Sequence, residues 1–143
     1  MIKQISKYLS IDLRHKLFFV SSQDHGINFA DIGFLLSKAI ENNLDSKHLS
    51  LLADEKLEKL IKDNVISNPE IGKYVAIRNI GILFEPELKL DLRAKFDSWS
   101  KSYILIVDAK DGMIINDTFY LASAQNTSYS INLSEISHKS IYK

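Results

Sequence analysis

The order of apolar runs in this 143-residue chain predicts an α/β domain of three layers, with a mainly parallel sheet and antiparallel strands near the C-terminus. Three observations carry that prediction. Residues 17–20, 74–77 and 103–107 are short runs of aromatic and β-branched residues, as buried strands require. The stretches between them repeat apolar residues at helical spacing. After Val107 the pattern changes to short apolar runs separated by polar turns.

Taken in order, residues 3–13 place Ile5, Tyr8, Leu9 and Leu13 near helical spacing. Leu17–Val20 is the first buried strand. Residues 28–41 give the clearest helix, with Phe29, Ile32, Leu35, Leu36, Ala39 and Ile40 on one face and Asn42-Asn43 ending it. Residues 48–52 suit a short strand, and residues 54–64 a surface helix with Leu57, Leu60 and Ile61 inward. Asn68-Pro69 marks a turn. Residues 73–84 read as the second strand, broken by Glu85-Pro86, and residues 90–100 as a helix on the stripe Leu92, Phe96, Trp99. Residues 103–107 are the third core strand, and Asp111-Gly112 is a turn signal. Residues 113–115, 118–122 and 129–133 read as antiparallel strands, and residues 134–143 as a polar tail or a last short helix. No repeat or linker divides the chain, so 1–143 is read as one domain.

Composition narrows the function. Eighteen basic residues balance eighteen acidic ones, which argues against a global field for nucleic acid or an anionic membrane. The absence of cysteine excludes disulfides, thiolate metal sites and thiol nucleophiles. The apolar runs are too short to span a bilayer, and the first residues lack the apolar core of a signal peptide, so a cytoplasmic location is expected. The glycosylation patterns at Asn116 and Asn126 are then accidental.

The loop after the first strand has the spacing of a phosphate-binding P-loop, G-x-x-x-x-G-K-[ST], from Ser21 to Asn28. Gly26 alone matches; Ser21 replaces the first Gly, Ile27 the Lys and Asn28 the Ser/Thr. Ile27 has no charge for the phosphates, and Asn28 no hydroxyl for Mg²⁺. The partner signature, an apolar strand ending in Asp, is best matched by residues 74–77, where Arg78 stands in place of the acid and would repel magnesium. Asn79 follows, and Gly81 lies where an acid would help activate water.

Residues 75–107, above all the run FEPELKLD at 84–91, resemble the C-terminal half of the small BrxF-type P-loop proteins of BREX phage-resistance systems. The matching pieces are the strand 74–77, Ile82-Leu83-Phe84, residues 86–91 and the strand 103–107, within a similarity running from about Lys16 to Leu133. The resemblance implies a sheet of P-loop NTPase type and a role in antiviral defence. The departures at Ser21, Ile27, Asn28 and Arg78 imply a pseudo-NTPase, with no catalytic residue, cofactor or metal, that binds other protein subunits of a defence complex. Two rivals stand beside it. An active small NTPase would need Lys16 or Lys38 to replace the missing Lys. A nucleic-acid module would need Tyr74, Tyr103, Phe119, Tyr120 and Tyr129 to stack bases, and Lys7, Arg14, Lys16 and Arg78 to form one patch.

Other candidates have plainer readings. His15, His25, His48 and His138 show no metal-ligand spacing, although His25 lies in the loop. Asp108, Asp111 and Asp117 follow the third core strand, where a metal is conceivable, but Asp in turns commonly caps backbone. Ser21 and Ser22 lack a G-x-S-x-G setting. The segments 21–28, 78–79 and 108–112 each follow a core strand and should gather at one sheet edge. There Arg78 is expected either to pair with an acid such as Asp24 or Asp108, or to reach solvent.

Overall fold

The computed structural model describes residues 1–9, 13–21, 26–110, 112–121 and 129–141. Among these, six strands form one sheet: β1 (Leu17–Val20), β2 (Phe29–Asp31), β3 (Ile66–Asn68), β4 (Gly72–Arg78), β5 (Ile104–Asp108) and β9 (His138–Ile141). The order is β2-β4-β5-β1-β9, every neighbouring pair parallel, and β3 runs antiparallel beside the first half of β4. A second, antiparallel sheet joins β6 (Gly112–Ile115), β7 (Thr118–Leu121) and β8 (Ser130–Asn132). The α/β class, the mainly parallel sheet and the antiparallel C-terminal strands are therefore as expected.

Alternation along the strands sorts the core into two sides. Leu17, Phe19, Val75, Ile77, Leu105 and Val107 face one side, and Phe18, Val20, Tyr74, Ala76, Ile104 and Ile106 the other. The register Leu17–Leu105–Val75 keeps these rows aligned across the sheet. The first side is covered by α2 (Ile32–Ile40), α3 (Leu49–Asp63), α4 (Leu92–Ser102), the 3₁₀ turns Ile80–Phe84 and Pro86–Leu88, and the small sheet. The second receives Ile5 of α1 (Ile2–Leu9) and Ile27 of the loop. The layers are unequal, with most of the helical mass on one side.

Local chemistry sets the element ends. Asp31 caps α2 by accepting from the Phe34 N–H (3.0 Å), and Asp91 caps α4 through the Ala94 N–H (3.1 Å). Asn116 and Asp117, with φ of 49° and 61°, make the two-residue turn of the β6–β7 hairpin, a geometry Asn and Asp tolerate well. Phe119 then stacks on Phe19 with ring centroids 5.1 Å apart, fixing the small sheet to the large one. Lys95 joins α4 to α3 through Asp54 (2.5 Å) and Glu58 (2.9 Å), and Glu58 also accepts the Trp99 indole N–H (3.1 Å). Burial alone would lower the Lys95 pKa, but the hydrogen bonds and charges of the two carboxylates outweigh it, leaving it raised.

Several expectations are corrected. The segment 28–41 is not one helix: residues 29–31 are an edge strand, and α2 starts at Ile32. Residues 48–52 are not a strand, because Leu49 and Ala53 continue the inward stripe of α3. The strand expected over 73–84 stops at Arg78, where Asn79 turns left-handed (φ 58°) and the chain coils into a 3₁₀ turn burying Ile80, Leu83 and Phe84. The polar tail contains β9, the fifth parallel strand. Ile32 and Leu36 pack with Phe19 and Ile77, not with Phe18 and Val20, which point to the opposite side. Leu36 is fully buried and Leu35 only partly so. Leu36→Ala is accordingly expected to cost about 2–5 kcal/mol in a denaturant melt and Leu35→Ala clearly less. A loss below about 0.5 kcal/mol for Leu36→Ala would place α2 outside the core.

Candidate functional site

β4, β5 and β1 are adjacent and parallel, so their C-terminal ends share one edge of the sheet. Ser21, Arg78-Asn79 and Asp108 all follow or end these strands, as anticipated. The residues around them differ from a phosphate site in two physical ways.

The first concerns the loop. A P-loop is a strand, a glycine-rich turn and a helix whose N-terminus faces the phosphates. Here Asn28 opens onto β2, on the far side of β4 from β5 and β1. Gly26 is exposed and has a φ of 115°, which a glycine adopts without strain. Ile27 is buried among Phe18, Val20, Tyr74 and Ile106, serving the core of the lightly covered side. Asn28 donates its backbone N–H to the Tyr74 hydroxyl (3.3 Å) and keeps its side chain exposed. Of the four aligned positions, Ser21, Gly26, Ile27 and Asn28, one has become a core anchor and another is tied by its backbone to a core tyrosine. His25 and Asp24 lie outside the described residues, as do Ser22 and Asp111.

The second concerns Arg78. It pairs with Asp31 (Nη2 to Oδ2, 3.5 Å), its register neighbour across β2 and β4. Of the two expected acids, Asp24 lies outside the described residues, and Asp108 instead accepts the Lys110 backbone N–H (3.0 Å), the turn-making role common for Asp. Asp31 carries three duties at once. It caps α2, accepts from the Asn79 side-chain amide (2.9 Å) and faces the Arg78 guanidinium. The Phe34 N–H, then the Asn79 amide, with the Arg78 charge as a smaller aid, hold its carboxyl below the usual carboxylate range against the opposing effect of burial. Gly33 completes the junction. A Cβ there would lie 2.7 Å from Asn79 Cγ and closer still to its carbonyl oxygen, so the close approach of α2 to the end of β4 requires glycine.

Comparison of the chain with protein-family models, curated proteins and solved structures finds no match.

The remaining candidates separate rather than converge. Among the described residues, no group of three or more His, Asp or Glu could hold a metal. His15 is buried against Asp97 (2.6 Å), and that hydrogen bond, followed by one from Lys101, lowers the Asp97 pKa. His138 binds the Ile136 carbonyl through Nδ1 (2.8 Å) and stands 3.7 Å from Asp117. Lys16 precedes β1, at the opposite end of that strand from Ser21, and Lys38 pairs with Glu41 (3.6 Å) in the last turn of α2. Tyr74 and Phe119 are buried and offer no face for a base, and Lys16 and Arg78 lie at opposite ends of the sheet. No helix of the described residues is long and apolar enough to cross a membrane. Sequence reasoning missed Asp31 and Gly33; the signal available was the cap pattern, an Asp directly before the apolar run Ile32-Gly33-Phe34-Leu35.

The junction generates two expectations. Gly33→Ala is expected to cost about 1–3 kcal/mol through overpacking, whereas Gly81→Ala, whose Cβ would meet nothing nearer than 4.0 Å, should be near neutral in the same melt. For Asp31 the sign follows from a lowered folded-state pKa: its stabilisation is present above the ordinary value of about 3.8 and lost as pH falls through the folded one. Asp31→Asn retains an N-cap, so the stability gap between it and the wild-type chain should be open at pH 7 and close in that acid window. A gap independent of pH would remove the ionic part of the junction.

Proposed function

We propose that this chain is a degenerate domain of P-loop NTPase type that works without nucleotide chemistry, as a protein-binding subunit of a phage-defence assembly of the BREX kind. The observation that carries the non-catalytic part is the use to which the nucleotide positions are put. Ile27 is a core residue, and Arg78 is bound to Asp31 at the sheet edge. The interior first strand, and Ser21, Arg78 and Asp108 at the C-terminal edge where α/β sheets place ligands, are in keeping with that ancestry, whereas the passage from β1 into β2 departs from it. The phage-defence part is supported by the resemblance of residues 75–107 to BrxF-type proteins. Its most specific run, 84–91, is folded here as the end of one 3₁₀ turn, a second turn and the cap of α4.

The rival NTPase reading lacks a cation at the loop, given the positions of Lys16 and Lys38. Calorimetric titration with Mg·ATP or Mg·GTP is expected to give no binding at micromolar concentration, and a saturable magnesium-dependent signal would overturn the pseudo-enzyme reading. The double variant Ile27→Lys, Arg78→Asp should likewise stay inactive, because the loop still leads into β2 and Ser21 and Asn28 remain. Recovered ATPase activity would mean that the site is far less remodelled than this geometry suggests. For the subunit role, affinity purification from native cells should recover defence-system proteins in fixed stoichiometry. A chain that elutes alone at its monomer mass contradicts it.

A further inference from the structure

Between the end of α2, the start of α3 and the two 3₁₀ turns runs a cleft of about 270 Å³. We propose that it docks a partner segment carrying one large apolar side chain flanked by Lys or Arg. This inference rests on the protein-binding reading and specifies its surface and the chemistry of the partner. Ile40, Leu49, Ile82 and Leu88 line the cleft, and Leu44 lines it while remaining 59% exposed. Its size falls below the roughly 300–1,000 Å³ typical of small-molecule sites and suits a side-chain anchor instead.

Charge names the occupant. Glu85 and Glu87 also line the cleft. Among the described residues neither has a Lys, Arg or His within ion-pair distance, and the group beside Glu85 is the neutral Tyr129 hydroxyl. Glu85 also borders the neighbouring cleft that Lys89 and Arg93 line, but neither forms an ion pair with it. Apolar walls with unneutralised acid at the rim favour a basic, apolar segment and disfavour an acidic one. The rim is also held in place before binding. Pro86 opens the second 3₁₀ turn, Leu88 N–H bonds to the Glu85 carbonyl (3.1 Å), and Lys89 turns left-handed with φ 49°. A fixed rim lowers the ordering cost of association. Met113 and Ile115 on β6 are also exposed, but no charge around them selects an occupant.

The test is photo-crosslinking in native cells with the full chain carrying Leu44→p-benzoylphenylalanine, an exposed position whose folding is checked by a thermal melt, and Met113→p-benzoylphenylalanine as the second site. The Leu44 probe is expected to link to one protein at a segment with an apolar residue flanked by Lys or Arg. Glu85→Lys with Glu87→Lys should lower that yield roughly tenfold or more, and the Gln pair should lower it less. A link to an acidic or uncharged segment, a link to a second copy of this chain, or a yield indifferent to charge reversal overturns the proposal. Capture from Met113 but not from Leu44 removes the cleft and leaves the subunit reading standing. Capture from neither removes both.

Discussion

The geometry of the candidate site follows from where β1 and β2 lie. β1 is interior to the sheet, and β2, the next strand in sequence, pairs with the far side of β4. The chain must therefore pass two strands, β5 and β4, within segment 21–28. Three strand spacings of about 4.8 Å amount to roughly 14 Å, which so short a segment can span. A parallel return through a helix needs on the order of a dozen residues, more than this segment contains. A helix N-terminus facing a phosphate at Gly26 is thus incompatible with this connection, whatever residue occupies position 27. The loop sequence and the topology depart from a P-loop on separate grounds.

The same connection accounts for the unequal layers. Ile27 joins Phe18, Val20, Tyr74 and Ile106, and α1 adds Ile5, so the lightly covered side is closed by short elements. The opposite side takes three helices and the small sheet, tied down by the Phe19–Phe119 stack and by the Lys95–Glu58–Trp99 contacts. The cleft at Leu44 belongs to that heavier side.

What the sequence made legible follows from signal strength. Leu17–Val20 is buried at all four positions, and runs so apolar announce themselves; so do the stripes of α3 and α4. β2 and β9 were missed because three or four residues with one or two apolar side chains have no period to detect, and their pairing with β4 and β1 is a tertiary fact. The strand through Arg78 was overextended because Ile80, Leu83 and Phe84 are as apolar as a strand, while the left-handed Asn79 that ends it is unmarked by Gly or Pro. At the site, the absence of a P-loop Lys and of the partner acid was visible from Ile27 and Arg78. The identity of the residue that answers Arg78 was not, since Asp31 lies 47 positions earlier, in a strand that was not anticipated.

The Arg78–Asp31 pair bears on why an arginine is tolerable at that edge. Half exposed, the pair adds little stability by itself, about 0.2–1 kcal/mol for contacts of this kind. Its larger effect is on charge and order. Asp31 is already fixed by the Phe34 N–H and the Asn79 amide, so Arg78 meets an acid that needs no further ordering. The guanidinium is answered within the fold, leaving less positive charge for a triphosphate to meet than an unpaired cation would offer. At the cleft the balance is reversed: Glu85 and Glu87 have no cation within ion-pair distance among the described residues. Charge has been closed off at the edge where an NTPase would do its chemistry and left open beside an apolar surface.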